Sequence, residues 1–151
     1  MQPEFRNDPE FDTWNMLDAE VNLVRHWDYL SESKYVRQSS TLETFMHSCG
    51  IQKGVGPVSS MIEAAYSLFH YFSYERGSTD VNSSAEAILQ TRRGVCQDYT
   101  HVLLAIGRHW GIPSRYVSGY LRLDGSDNFQ TPVGESHCLS LIHISEPTRP
   151  Y

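Results

Sequence analysis

The sequence predicts an α+β domain in which a helical layer carrying Cys96 packs on an antiparallel sheet. Three observations lead there. Apolar residues recur at helical spacing in successive segments between Thr41 and Trp110. A later segment, Arg115–Leu123, alternates instead: Tyr116, Ser118 and Tyr120 point one way, and Val117, Gly119 and Leu121 the other. Between the two patterns, Gly94-Val95-Cys96-Gln97-Asp98 delivers a cysteine to the start of a periodic segment.

Residues 1 to about 26 are acidic and polar, and Phe11, Trp14, Leu17, Val21 and Val24 have the spacing of a short helix. Trp27–Val36 is aromatic and reads as extended. Thr41–Cys49 reads as a short helix with Leu42, Phe45 and Met46 on one face, ended by Gly50. The Lys53–Pro57 run is a loop. A long helix over Val58–Phe72 follows, with Met61, Ile62, Ala65, Leu68, Phe69 and Phe72 as its core stripe and His70 at the surface. Gly77–Asp80 is a turn, and Ser83 with Glu86 fits a capping box opening a helix to about Thr91 that buries Ala87 and Ile88.

From Cys96 onward, Val102, Leu103, Ile106 and Trp110 hold helical spacing, with Gly111 at the C-cap and Pro113 beyond it. Cys96 therefore falls in the first turn of a helix of about four turns. Unpaired N–H groups and the positive end of the helix dipole face a thiol placed there, which favours the thiolate, the nucleophilic form. The plainer alternative is a buried structural cysteine. Asp124–Asn128 is a loop by composition.

Composition narrows the function. Hydrophobic residues make up 40% and charged residues 20% of the 151-residue chain, enough for one domain with a core. A net charge of −6 and no basic cluster beyond Arg92-Arg93 argue against a nucleic-acid or anionic-membrane surface. No apolar run reaches the ~20 residues of a membrane span. No signal peptide is visible at Met1–Phe5, and three cysteines give no disulfide framework, so a reducing cytoplasm is the expected location. The histidines and cysteines form no C-x2–4-C, paired H-x3–5-H or H-E-x-x-H pattern, so no metal and no cofactor are expected.

The segment Thr91-Arg92-Arg93-Gly94-Val95-Cys96-Gln97-Asp98-Tyr99-Thr100-His101 resembles the nucleophile segment of bacterial transglutaminase-like proteins. The likeness continues through Gly111–Leu121 and resumes at Glu135-Ser136-His137, where that family carries its catalytic histidine. Upstream, Phe72–Thr79 and Ser83–Leu89 also match. The resemblance implies a papain-like or transglutaminase-like core over residues 41–137, with residues 1–40 an arm or the remnant of a preceding β-rich domain. It implies Cys96 as nucleophile and His137 as the base carried to the helix tip by a strand. The substrate class is then a protein, peptide or other amide.

Such chemistry needs a thiolate, a proton shuttle and donors for the oxyanion. The N–H of Cys96 at the helix start is the natural donor. His101 lies about 140° around the same helix from Cys96 and a turn along it, so it does not face the thiol, and His109 is further still. The resemblance also implies a triad aspartate on a strand well downstream of the histidine, and none is visible. Asp98 reads as favourable charge at a helix N-terminus, and Asp124 and Asp127 have no positional support.

The family's histidine is usually followed by Ala-Trp and a strand; here Cys138 and Leu139 follow. The run Leu139-Ser140-Leu141-Ile142-His143-Ile144-Ser145-Glu146-Pro147-Thr148-Arg149 reads as the translation of a transposase-type sequencing-library adapter. Residues 138–151 are accordingly expected to be a non-native tail, with the family's last strands missing and the 151-residue chain inactive. Leu139–Ile144 alternates apolar and polar residues, a pattern that can pair as a strand beside Arg115–Leu123 by accident of register. Two functions remain open: a thiol enzyme that hydrolyses or transfers acyl groups, and a non-catalytic protein-binding module on the same scaffold. Hydrolysis and amine transfer are not distinguished, and neither is the oligomeric state.

Overall fold

The computed structural model describes residues 13–17, 24–75, 85–120 and 136–142, the last segment and Gly119–Tyr120 by their backbone. The turn at 77–80, the Ser83 cap, the loop acids Asp124 and Asp127 and the tail beyond Ile142 lie outside the described residues.

A 3-10 turn at Trp14–Met16 comes first, where the sequence spacing predicts an α-helix. It is pinned to the core by the Trp14 indole, which donates to Gly54 O at 3.0 Å and meets Trp110 edge-on. Next come α1 (Trp27–Leu30), α2 (Ser40–Ser48) and α3 (Pro57–Tyr71). The two-residue strand β1 (Ser73–Tyr74) precedes α4 (Ala85–Thr91), and β2 (Arg93–Gly94) leads into α5 (Cys96–His109). Strands β3 (Ser114–Tyr120) and β4 (Ser136–Ile142) follow. The α+β expectation holds, but with two small sheets: β1 and β2 pair in parallel, and β3 and β4 pair antiparallel.

Helix α5 is the centre of the molecule. It packs against α3, α4 and β2 on one side and against β3 and β4 on the other. Its buried residues therefore run around the helix, from Val102 and Leu104 to Ala105, Ile106 and Gly107, as expected of a helix covered on both flanks. Its end is a Schellman motif: Gly111 has φ +79°, its N–H donates to Arg108 O, and Ile112 N–H donates to Gly107 O at 2.8 Å. The same device ends α2, where Gly50 has φ +67° and Ile51 N–H reaches Met46 O. Helix α2 starts on Ser39, whose Oγ accepts from Leu42 N–H, and it buries Leu42, Phe45 and Met46 as its pattern predicts.

Three readings of the sequence need correction. Trp27–Leu30 is a helical turn and not extended; Ser31 closes it by donating from both its N–H and its hydroxyl to Trp27 O. Helix α3 buries Pro57, Ser60, Met61, Ala64 and Leu68, while Ile62, Ala65 and Phe69 face outward, Phe69 at 74% exposure. Its apolar arc is wider than the buried face, and Met61 lies on that face against Gly107 of α5. Helix α4 buries Ile88 and Leu89, with Ala87 outside. His70 is exposed, as expected.

Strand β4 spans the point where the adapter-like run begins. Leu139, Ser140, Leu141 and Ile142 pair with Val117, Tyr116, Arg115 and Ser114. The alternation of this run is that of a strand, and β3 is the strand it pairs with.

Candidate active site

Cys96 is the first residue of α5, half-buried, with Val95 as N-cap in an extended conformation. A backbone frame fixes that entry. Ser73 N–H donates to Arg92 O at 2.9 Å, and Glu75 N–H donates to Gly94 O at 3.0 Å. The end of α3 is thereby tied to the turn that delivers the cysteine. Nothing in the sequence pattern gave this β1–β2 ladder away, because two residues are too few to show a period of two.

Arg92 sets the direction of the turn. Its φ of +53° is in the left-handed region, at a cost of about 1 kcal/mol for a residue with a side chain. Side-chain contacts offset that cost. The guanidinium lies over the rings of Phe45 and Tyr71 at 5.8 and 5.9 Å and donates to Ser48 Oγ at 3.4 Å.

Gly94 and Asp98 explain each other. Asp98 Oδ2 accepts the Val95 N–H at 2.8 Å, the reciprocal half of a capping box closed from the third helical position. The buried carboxylate occupies the space beside Gly94, where an added Cβ would lie 2.6 Å from Oδ2. So the expectation that Asp98 supplies favourable charge at the helix start is met by a specific bond.

His101 does not face Cys96. It is buried, stacked parallel on Tyr35 at 5.3 Å between ring centroids and in contact with Tyr116 at the same separation. Burial lowers its pKa from the ordinary histidine value, and the Asp98 carboxylate pulls more weakly the other way. His109 lies at the far end of α5, where Nδ1 is 2.8 Å from Gln38 Oε1.

His137 is on β4, its backbone paired with Gly119 of β3. Strand β3 runs back along α5. Ser114 Oγ sits against Gly107, and Tyr116 lies level with His101. Three further strand residues advance about 10 Å, and the five helix residues from His101 back to Cys96 span about 7.5 Å. The His137 backbone is therefore at the same end of α5 as Cys96. The His137 and Cys138 side chains lie outside the described residues. Among the described residues no group of three or more His, Cys, Asp or Glu is placed to hold a metal, and no helix is long and apolar enough to cross a membrane.

The sequence model of the transglutaminase-like superfamily matches residues 50–144. The chain belongs to the transglutaminase-like superfamily. The matched region of this transglutaminase-like chain ends inside the adapter-like run. An uncharacterized protein of Mycobacterium leprae is 35% identical over 111 residues, covering 72% of this chain and 38% of the relative. Uncharacterized proteins of Mycobacterium bovis and Mycobacterium tuberculosis are 36% identical over 93 residues, 62% of this chain and 30% of theirs. The chain thus spans well under half the length of these relatives. Among solved structures, a candidate cysteine protease from Cytophaga hutchinsonii is similar with a TM-score of 0.65 and 23% identity, over 89% of this chain and 42% of that one. The fold is therefore transglutaminase-like and cysteine-protease-like.

Proposed function

We propose that this transglutaminase-like domain carries out thiol-dependent acyl chemistry on amide or peptide carbonyls, with Cys96 as nucleophile and His137 as general base. The observation that carries the reading is the position of Cys96, half-buried at the first residue of a central helix whose entry is clamped by β1–β2 and the Asp98 cap. A binding module has no need of a thiol held in this way. The register of β4, which sets the His137 backbone at the same end of α5, supports the pairing.

In the proposed cycle, Cys96 Sγ attacks the carbonyl carbon as His137 takes the thiol proton. The tetrahedral oxyanion receives the N–H of Cys96, a first-turn donor with no partner within the helix. The C–N bond breaks, the imidazolium gives its proton to the departing ammonia or amine, and a thioester remains. Water or a second amine then attacks the thioester, with His137 again taking and returning the proton. The proposed organisation is an arm or the remnant of a preceding β-rich domain over residues 1–40, a catalytic core over 41–137 and a non-native tail over 138–151. The tail contains no aspartate to serve as the triad acid that the resemblance implies. The proposed location is cytoplasmic. The proposed partners are peptide or amide substrates, with neither nucleic acid nor membrane among them.

The test is a release assay for ammonia from peptide carboxamides and for incorporation of a labelled amine, run on the core joined to its native continuation. Activity abolished by Cys96→Ala and by His137→Ala is the expected result. Peptide binding without turnover, unchanged in Cys96→Ala, would assign the scaffold to binding instead.

A further inference from the structure

A cavity of about 380 Å³ lies between α5, β3 and residues 33–36 of the chain. Its α5 wall is the face of His101, Leu104 and Arg108, and His101 stands about 140° around the helix from Cys96. The cavity is therefore separate from the site at the thiol. Voids much larger than a water molecule are few in close-packed interiors, and this volume is in the range of sites for small organic molecules.

Hydrogen bonds hold the space open. Ser33 and Val36 close a turn on each other: Ser33 N–H donates to Val36 O at 2.9 Å, and Val36 N–H donates to Ser33 Oγ at 3.2 Å. The turn presents Tyr35, whose ring stacks parallel on His101 at 5.3 Å, with Lys34 Nζ 5.0 Å from its centroid. Arg108 straps the same segment to β3. Its Nη1 donates to Ser31 O at 2.6 Å, and Nε and Nη2 donate to Ser114 O at 3.2 and 2.8 Å. Further along, His109 Nδ1 is 2.8 Å from Gln38 Oε1. Residues 31–38 are thus held at several points, and the turn does not settle inward to fill the gap.

The lining selects its occupant. The rings of Tyr35, His101 and Tyr116 and the side chains of Val36 and Leu104 make it largely aromatic and apolar. An aromatic guest gains contacts with these rings that a saturated ring of the same size lacks. Among the described lining residues, Arg108 carries the one permanent charge. Burial lowers the pKa of His101, against a weaker pull from Asp98, so its ring is neutral near neutral pH. A cationic guest would lose its water beside a like charge.

We propose that this cavity is a binding site, separate from the thiol, for a small aromatic molecule without positive charge, and that its occupant staples residues 31–38 to α5 and β3. The guest touches all three walls at once, so it binds only while the turn is docked, and binding and docking favour each other.

The test titrates the full chain with benzyl alcohol, cyclohexylmethanol and benzylammonium near neutral pH, followed by amide chemical shifts. Benzyl alcohol is expected to bind about threefold or more tighter than cyclohexylmethanol, and about tenfold or more tighter than benzylammonium. Tyr35→Leu keeps apolar bulk, removes one ring and is expected to bring the two alcohols level. Benzyl alcohol at about ten times its Kd is expected to slow hydrogen exchange at the Ser33 and Val36 amides about tenfold. Alkylating Cys96 beforehand is expected to leave the affinity unchanged. Equal binding of the two alcohols, benzylammonium binding as tightly as benzyl alcohol, or loss of binding on alkylation overturns the site. Binding that leaves exchange at Ser33 and Val36 as it was overturns the staple. If Tyr35→Leu fails to fold, the three probes and the alkylated chain decide.

Discussion

An alanine at position 94 would place its Cβ 2.6 Å from Asp98 Oδ2 and 2.7 Å from Asp98 Cβ, so the carboxylate that caps α5 would have to move. Gly94→Ala is expected to cost about 1–3 kcal/mol in urea unfolding, the range of overpacking combined with a lost cap. In an Asp98→Ala background the same change should cost much less, because the two residues compete for one space; equal costs in both backgrounds would show that the crowding is not the cause. Cys96 is half-buried at a helix start, whereas Cys49 is buried with Sγ 3.7 Å from Ser48 Oγ. In a folded sample, iodoacetamide should label Cys96 faster than Cys49, and equal rates at about pH 6 would count against an activated thiol. His101 gives a pH signature. Its folded pKa is lowered by burial, so the unfolded chain takes up the proton first. Its contribution to stability is then present above the unfolded value of about 6.5 and is lost as the pH falls through the lower folded value. His101→Phe should flatten the decline in stability over that window, measured by unfolding at several pH values.

At the level of elements, α5 comes close to both β3 and α3 at Gly107. A Cβ on Gly107 would lie 2.6 Å from Ser114 Oγ and 3.4 Å from Met61 Cε. Ser114 is fully buried, its hydroxyl held by Ile112 O at 2.8 Å, and cannot swing away at low cost. Gly107→Ala should therefore destabilise by about 1–3 kcal/mol, with part of the loss recovered in Gly107→Ala/Ser114→Ala; calorimetric melting of the four chains checks it. The sequence made the helices legible because Leu42, Phe45 and Met46, or Val102 and Ile106, repeat at the helical period. It misassigned Ile62, Ala65 and Phe69, since periodicity reports an apolar arc but not how much of that arc a neighbour covers. The capping bond of Asp98 was readable as charge at a helix start, whereas its dependence on Gly94 is a through-space fact. The Tyr35–His101–Tyr116 stack joins residues far apart in sequence and left no local signal.

For the whole molecule, β4 is the part on which the most depends. If residues 139–151 are adapter-encoded, half of β4 is paired by pattern alone, and the sheet has lost the strands that would cover its edge. Joining the source gene's own continuation after codon 138 is then expected to raise Tm and to yield amidase or transamidase activity that Cys96→Ala removes. Re-reading the source DNA without that adapter and finding the same Leu139–Tyr151 codons would end this account. The clamp at Ser73–Arg92 and Glu75–Gly94 has a different consequence, for how the chain can be lengthened. Its two sides hold one another in register, so the chain can be lengthened only where Ser73–Tyr74 stay opposite Arg93–Gly94. A single residue inserted between Arg92 and Cys96 would instead turn the helix start by about 100° and carry the nucleophile off its face.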